Sequence, residues 1–290
     1  MNTVYIMSAN RSAIGGFGGT LKNHCPVDLG TLVAKEAIAR SGYEANEVEH
    51  AVFGNVIHTE PRDMYVSRVI ALQAGMDKAS AALTVNRLCG SGLQAIVSAS
   101  QILMLGDASV AMAGGVEVMS NGAHIVQGFR WGSRMGDGQV HDMMLGALHD
   151  PFGHGHMGIT AENISSRYQI SREMQDEFAL TSQKRAHEAI ENGNFKDQIL
   201  PIEIKTRKGI QIFEIDEHPK PETSMETLTG LKTAFKKDGV VTAGNASGIN
   251  DGASALVLAN EEKAKSGKPL ARVVSYGFGG VDPDEMGMGP

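Results

Sequence analysis

Hydrophobic and polar positions follow two rhythms in the first 115 residues of this chain. An apolar run at 4–8 reads as a buried strand. Between 28 and 40, Leu29, Leu32, Val33, Ala37 and Ile38 recur at three- and four-residue spacing, the stripe of an amphipathic helix, and Gly42 is placed to end it. Residues 48–57 read as a strand, 63–74 as helical and 84–88 as extended. Residues 91–105 have helical length, but are apolar nearly all round and rich in small side chains. That predicts a helix buried in the middle of the protein, closed by Gly106-Asp107. An apolar strand at 109–113 is expected to end at Gly114-Gly115. This alternation of strands and helices predicts a layered α/β domain.

The pattern weakens after about residue 120. Residues 121–157 are rich in Gly, Met and His and weakly periodic, and a loop of that length is commonly functional or disordered. Ser171 is a helix N-cap, followed by Glu173, Asp176 and Glu177 in the first turns and by Arg185 and His187 late, so that the charges match the helix dipole to about residue 192. An edge strand is expected at 201–208 and a proline-bearing loop at 218–222. A polar glycine turn at 244–252 leads into an apolar strand at 254–259. The expected organisation is an α/β domain over 1–120 and 248–270, interrupted by an insertion over 121–247. A new strand at 270–276 would open a further unit, 271–290, with no helix following to cover it.

Composition narrows the classes. The 290 residues carry a net charge of −7, which leaves no general electrostatic footprint for nucleic acid or an anionic membrane. No apolar run approaches membrane-spanning length, and the N-terminus has no basic segment of a signal peptide. Two cysteines, Cys25 and Cys89, make no disulfide framework, so a cytoplasmic protein with free thiols is expected. No metal ligand set is expected. The glycine-rich stretch Gly15-Gly16-Phe17-Gly18-Gly19 lacks the Gly-Lys-Ser/Thr of a phosphate loop and the glycine spacing of a dinucleotide fingerprint, and reads as a tight turn.

The candidate for chemistry is Cys89, at the junction between an extended run and the 91–105 helix. The positive end of a helix dipole favours thiolate, the reactive form, which makes Cys89 a candidate nucleophile. The alternative is a buried, inert thiol acting as a small hydrophobe.

The segment Val85-Asn86-Arg87-Leu88-Cys89-Gly90-Ser91-Gly92-Leu93-Gln94-Ala95 resembles the nucleophile segment of the thiolases. In the same order follow Gly114-Gly115-Val116-Glu117-Val118-Met119-Ser120, His156-Met157-Gly158-Ile159-Thr160-Ala161-Glu162-Asn163, Ser171-Arg172-Glu173-Met174-Gln175-Asp176, Thr242 to Ala253, and Gly280-Val281-Asp282-Pro283. The stretches 59–65, 131–135 and 150–152 are most similar to bacterial biosynthetic β-ketothiolases. One small departure is Val116-Glu117-Val118-Met119, where the family usually has a small residue, Glu, Ser and Met.

The resemblance implies a thiolase-like α/β/α N-terminal half with an inserted loop domain. It also implies a two-step acyl transfer that forms or cleaves 3-ketoacyl-CoA. Cys89 would hold the acyl group as a thioester, with its own amide as one oxyanion donor. Acetyl-CoA, 3-ketoacyl-CoA and coenzyme A would be substrates, with no permanently bound cofactor. Leu148, His156, Met157, Phe235, Ala243, Ser247 and Met286 match family positions that line the pantetheine and adenine channel or the acyl pocket. From their types alone, Ser247 is equally a turn serine, His156 a structural histidine and the methionines core filler. Lys205, Arg207, Lys208, Lys220, Lys236 and Lys237 either attract CoA phosphates or form a solvated face.

The family also uses an Asn in Asn-Glu-Ala-Phe, a His in Gly-His-Pro and a second Cys in Cys-x-Gly-Gly, and none of these occurs in this chain. The expectation is that the second half of the fold is only begun, so that the isolated chain is incomplete. It would then pair with a missing C-terminal half or assemble as a homo-oligomer, a dimer or tetramer. The alternative is an inactive fragment that binds CoA esters or serves assembly.

Overall fold

The computed structural model describes residues 2–132 and 134–289; Met1, Ser133 and Pro290 lie outside the described residues, so the expected segment ends at 1 and 290, and position 133 of the 131–135 stretch, are not placed. The chain divides into two compact units. The first comprises residues 1–123, 196–217 and 250–277, and the second 124–195, 218–249 and 278–290. The segment 196–217 lies inside the stretch expected as one insertion, yet it folds with the first unit.

The first unit is built on a mixed sheet. Its strand order is Ile199–Leu200, Val4–Ser12, Asn250–Asn260, Val110–Val118, His50–Gly54 and Ala81–Val85. Strand 250–260 runs antiparallel to both neighbours, while 50–54 is parallel to 110–118 and to 81–85. Helices α1 (Pro26–Ser41), α2 (Val66–Gln73) and α3 (Ser91–Leu105) cover it. The α/β expectation therefore holds. Val4, Val52, Ala95, Ala99, Leu103, Ala111, Ala113 and Leu258 form one core between α3 and the sheet. Each large apolar side chain so buried contributes about 2 kcal/mol.

Three strands depart from the sequence expectation for one reason: pairing partners distant in sequence extend them. The first strand reaches Ser12 because Arg11 pairs with both Ser254 and Ile199. Two of its polar residues find partners, Ser8 donating to the Ala37 carbonyl of α1 at 2.6 Å and Ser12 accepting the Ala253 amide at 3.1 Å, while the buried Asn10 side chain has none. Strand 110–118 does not stop at Gly114-Gly115 but runs through them, because these glycines pair with Ala255 and Ser254 on one side and Phe53 and Gly54 on the other; only glycine fits at 114, where a Cβ would strike the Phe53 ring and stand 2.5 Å from the Ser254 carbonyl. Strand 250–260 starts inside the expected polar turn. The strand that leads to Cys89 is displaced rather than extended: it spans 81–85, not 84–88. The strand expected at 270–276 reduces to Ala271–Arg272, paired to Tyr5 and Ile6, and Leu270 and Val274 remain exposed.

Helix α3 matches its expected bounds but not its expected burial. Ala95, Ala99 and Leu103 face the core, whereas Leu93 and Leu105 are 70% and 72% exposed. The window Leu88–Leu105 is long and apolar enough, by length and composition, to cross a membrane, contrary to the sequence reading, and here one of its faces is packed on the sheet.

The glycine loop at 15–19 is a turn, as expected. Gly15–Gly16 pairs with strand 250–260, and the Glu217 carboxylate accepts the amides of Gly16 and Thr20. Asp216 clamps Arg11 with two bonds of 2.7 and 2.9 Å.

In the second unit the weakly periodic stretch carries short elements: a hairpin of His124–Val126 and Val140–Asp142, helix α4 (Met143–Ala147), and a pairing of His149–Asp150 with Gly155–His156. Two longer helices follow, α5 (Met157–Tyr168) and α6 (Arg172–Glu191), then the short α7 (Met225–Thr229). Ser171 caps α6 by accepting the Met174 amide at 3.3 Å, as its position predicted. The turn Pro283–Met288 packs along α5.

Candidate active site

Cys89 is exposed, which removes the reading of a buried, inert thiol. It precedes Gly90, the N-cap of α3, and no side chain caps that helix end. The turn before it is wound tightly. Leu88 adopts φ +49°, a left-handed conformation costly for a branched side chain and one that concentrates at functional sites. Two side chains hold it there. Asn86 Oδ1 accepts the Leu88 amide at 2.9 Å, and Ser91 Oγ accepts the Arg87 amide at 2.8 Å while donating to the Leu88 carbonyl at 2.6 Å.

The helix start is set on the sheet by two glycines. A Cβ on Gly54 would lie 2.7 Å from Ser91 Cβ and 2.8 Å from its backbone carbon, and one on Gly115 would lie 3.5 Å from Gly92 Cα. Close approach of backbone to backbone is what only glycine allows. These contacts fix where Cys89 leaves the sheet.

The seven other candidates all fall in the second unit. Four come together at the start of α5. The Met157 amide donates to the Leu148 carbonyl at 2.8 Å. His156 caps the helix, its Nδ1 accepting the Gly158 amide at 3.0 Å. The Phe235 ring stacks on that of His156, centroids 4.7 Å apart and 20° from parallel, and His149 meets the opposing ring edge-on at 5.1 Å. Because Nδ1 accepts, His156 is neutral with its proton on Nε2. Burial, then the neighbouring His149, lowers its pKa from the ordinary histidine value.

Ala243 and Ser247 are exposed on the loop that follows Phe235, joined to it by the Thr233–Thr242 bridge and the Ala234 amide donating to Val241. Ser247 Oγ donates to the Gly248 carbonyl at 3.1 Å, which suits a turn serine as well as a ligand contact. Met286 sits apart, on the 283–288 turn held by Asn163 and Arg167 farther along α5. The six basic candidates are all exposed: Lys205, Arg207 and Lys208 lie in the first unit, on or beside the hairpin of strands Ile202–Thr206 and Gly209–Phe213, and Lys220, Lys236 and Lys237 lie in the second.

The residues that shape this wall were not singled out from sequence. Glu162, 5% exposed, accepts the amides of Val240 and Val241 with both oxygens and thereby sets the 235–241 segment. Fully buried Asp176 pairs with Arg172 at 2.7 Å and accepts from Asn245 at 2.9 Å, and Asn245 in turn accepts the Thr242 amide. Glu162 and Asp176 lie within segments noted for the resemblance, but partners some 70 residues away gave no local signal.

The thiolase N-terminal domain model matches residues 4–262. The chain is 54% identical over 290 residues to beta-ketothiolase BktB of Cupriavidus necator, covering 99% of this chain and 74% of that protein. It is 47% identical to the acetyl-CoA acetyltransferase of Syntrophomonas wolfei, covering 99% and 73%. The crystal structure of the Bacillus anthracis acetyl-CoA acetyltransferase superposes with TM-score 0.96 at 48% identity, covering 100% of this chain and 74% of that one. That of human mitochondrial 3-ketoacyl-CoA thiolase in complex with CoA does so with TM-score 0.95 at 40% identity, covering 100% and 73%. Matches of this extent, running through the strained Cys89 turn and the α5 wall alike, make the chain a member of the thiolase family of acyltransferases.

Proposed function

We propose that this chain acts as a β-ketothiolase through an acyl thioester on Cys89. The observation that carries the reading is an exposed thiol held by a strained turn at an uncapped helix start. Cys89 Sγ attacks the carbonyl of an acyl-CoA, a carbon–sulfur bond forms, the bond to CoA sulfur breaks, and the thiol proton ends on the departing CoA. In synthesis the acyl group then passes to the α-carbon of acetyl-CoA, the thioester bond to Cys89 breaks and the displaced α-proton ends on the Cys89 thiol. In thiolysis Cys89 Sγ instead attacks the 3-keto carbon of 3-ketoacyl-CoA, the C2–C3 bond breaks, acetyl-CoA leaves with the thiol proton on its α-carbon, and the acyl group passes to CoA. The amide dipoles at the start of α3 suit the oxyanion of the tetrahedral intermediate.

The 121–247 loop region binds coenzyme A in this reading. Leu148, Met157, Phe235 and Met286 supply apolar wall, Ala243 close approach, and Ser247 and the Nε2–H of His156 polar contacts, the mixture that a long amphipathic pantetheine arm needs. The name of the CoA-bound human relative supports this ligand. The family's Asn-Glu-Ala-Phe, Gly-His-Pro and Cys-x-Gly-Gly segments are not among these residues. The acylation half-reaction is therefore the part these residues carry, and the full cycle takes its remaining groups from elsewhere. Exposed Leu93, Leu105, Leu83 and Leu88 support association with a second polypeptide or a second copy. Two free thiols support a reducing, cytoplasmic setting.

Intact mass after mixing with acetyl-CoA tests the proposal, with Cys89→Ala and denatured protein as controls. One acetyl group that requires both Cys89 and the folded state is the expected result. No adduct, or an equal adduct on Cys89→Ala, overturns it and leaves a fragment that binds CoA esters without acyl transfer.

A further inference from the structure

The half-buried carboxylate of Glu117 stands beside the nucleophile turn. It projects from the end of strand 110–118. Oε2 accepts the Val56 amide at 2.9 Å, and Oε1 accepts the Ile57 amide at 3.0 Å and the Asn55 side-chain amide at 3.3 Å. Asn55 is 1% exposed, and its Nδ2 also donates to the Val116 carbonyl at 3.0 Å. The cradle 55–57 reaches the nucleophile turn from two sides. The Asn55 amide donates to the carbonyl of Val85, the last residue of the strand leading into 86–90, at 3.2 Å. The preceding Gly54 is the residue against which Ser91 is seated. Ser91 in turn holds both the Arg87 amide and the Leu88 carbonyl.

We infer that Glu117 is a positioning residue for the reaction at Cys89: its carboxylate fixes the 55–57 turn, and through Asn55–Val85 and Gly54–Ser91 it sets the height and direction in which the 86–91 segment presents the thiol. The inference rests on Cys89 being the nucleophile. A carboxylate bound to three N–H donors holds them strongly; once protonated it is a poorer acceptor and the cradle loosens. Burial pushes Glu117 up to about 7, the bonds from Val56 and Ile57 pull it down, and Asp63 adds a further rise. The charged group facing it is Asp63 on the 61–65 turn, itself bonded to Thr59 and Glu60. His58 follows the cradle in the chain, Asp251 on the adjacent strand is turned to Ser120, and α3 has no charged residue. Presentation of the thiol should therefore tighten as pH rises through neutrality.

The test uses the full chain with Glu117→Gln and Glu117→Asp. Rates of Cys89 alkylation by iodoacetamide and of acetylation by acetyl-CoA are followed by intact mass across about pH 5 to 9, with thermal melting alongside. The wild type should show a step in rate near neutrality. Glu117→Gln should lose the step near neutrality and react roughly tenfold more slowly at alkaline pH, the scale of effect that a small displacement of a reacting group produces. Glu117→Asp, which keeps a charge on a shorter arm, should retain a step at reduced rate, and it carries the test if the Gln variant does not fold. Glu117→Gln profiles that superimpose on wild type in both shape and height overturn the inference and leave the thioester proposal intact. A Glu117-dependent step in alkylation without any acetylation would keep the positioning role while overturning the thioester proposal.

Discussion

The ring of Phe235 lies 4.7 Å from that of His156, stacked within 20° of parallel, and fills the space that a side chain at Gly158 would need. Residues 79 positions apart are thus locked face to face at the first turn of α5, where the His156 ring also serves as helix cap. Glu162, one turn farther along the same helix, holds the loop that carries Phe235. The part of the proposed coenzyme A wall at the start of α5 is therefore one packed object rather than a set of independent contacts.

Gly158→Ala drives a methyl group into the Phe235 ring. Overpacking of this kind costs about 1–3 kcal/mol, and rotation of Phe235 off His156 should weaken acetyl-CoA or CoA binding by roughly tenfold or more. Calorimetric titration with CoA measures it. Unchanged affinity in a folded variant would remove Phe235 from the wall.

His156 must be neutral at Nδ1 to accept the Gly158 amide, and its pKa is lowered by burial and by His149. The unfolded chain then takes up a proton at a higher pH than the folded one, so stability falls as pH drops below the ordinary histidine value and levels off once the folded-state pKa is passed. Thermal melts from about pH 8 to 5 should show a larger loss for wild type than for His156→Asn, which caps without titrating. Parallel curves would mean that the cap is not pH-coupled.

Glu117 titrates in the opposite sense. Its folded pKa, raised to about 7 from 4.5, means that the folded state holds a proton which the unfolded state releases earlier. Its contribution is fully favourable below the unfolded value and is lost as pH rises from there through about 7. Glu117→Gln should flatten this part of the stability profile in urea titrations, and a profile of unchanged slope would contradict the raised pKa.

Asp176 has no exposure and balances Arg172 while holding Asn245. Asp176→Ala leaves the guanidinium without its carboxylate, although the Leu228 and Leu231 carbonyls still accept from it, and a loss of about 3 kcal/mol is expected, with the 242–247 loop released. Denaturant unfolding measures the loss, and faster proteolysis within 240–248 would locate it. Gly54→Ala pushes on the Ser91 backbone and should slow Cys89 alkylation while leaving CoA affinity near wild type, because the CoA wall is built on other elements.

Local patterning determined a good deal of this protein. The bounds of α3, the Ser171 cap of α6, the glycine loop as a turn and the α/β alternation all follow from periodicity and turn chemistry, which act over a few residues. The segment around Cys89 was legible because its residue order carries the family resemblance.

Tertiary structure alone decided the rest. Strands 4–12, 110–118 and 250–260 are as long as they are because each finds hydrogen-bond partners more than 100 residues away, and no local window contains that information. Which face of α3 is covered, and which is left open, depends on what the sheet packs against it. Burial makes Glu117, Glu162 and Asp176 consequential: each carboxylate receives N–H donors from a distant turn, in surroundings where leaving those donors unbonded would be costly. A sequence lists such charges as ordinary surface residues; only folding brings them the partners that turn them into supports of the site.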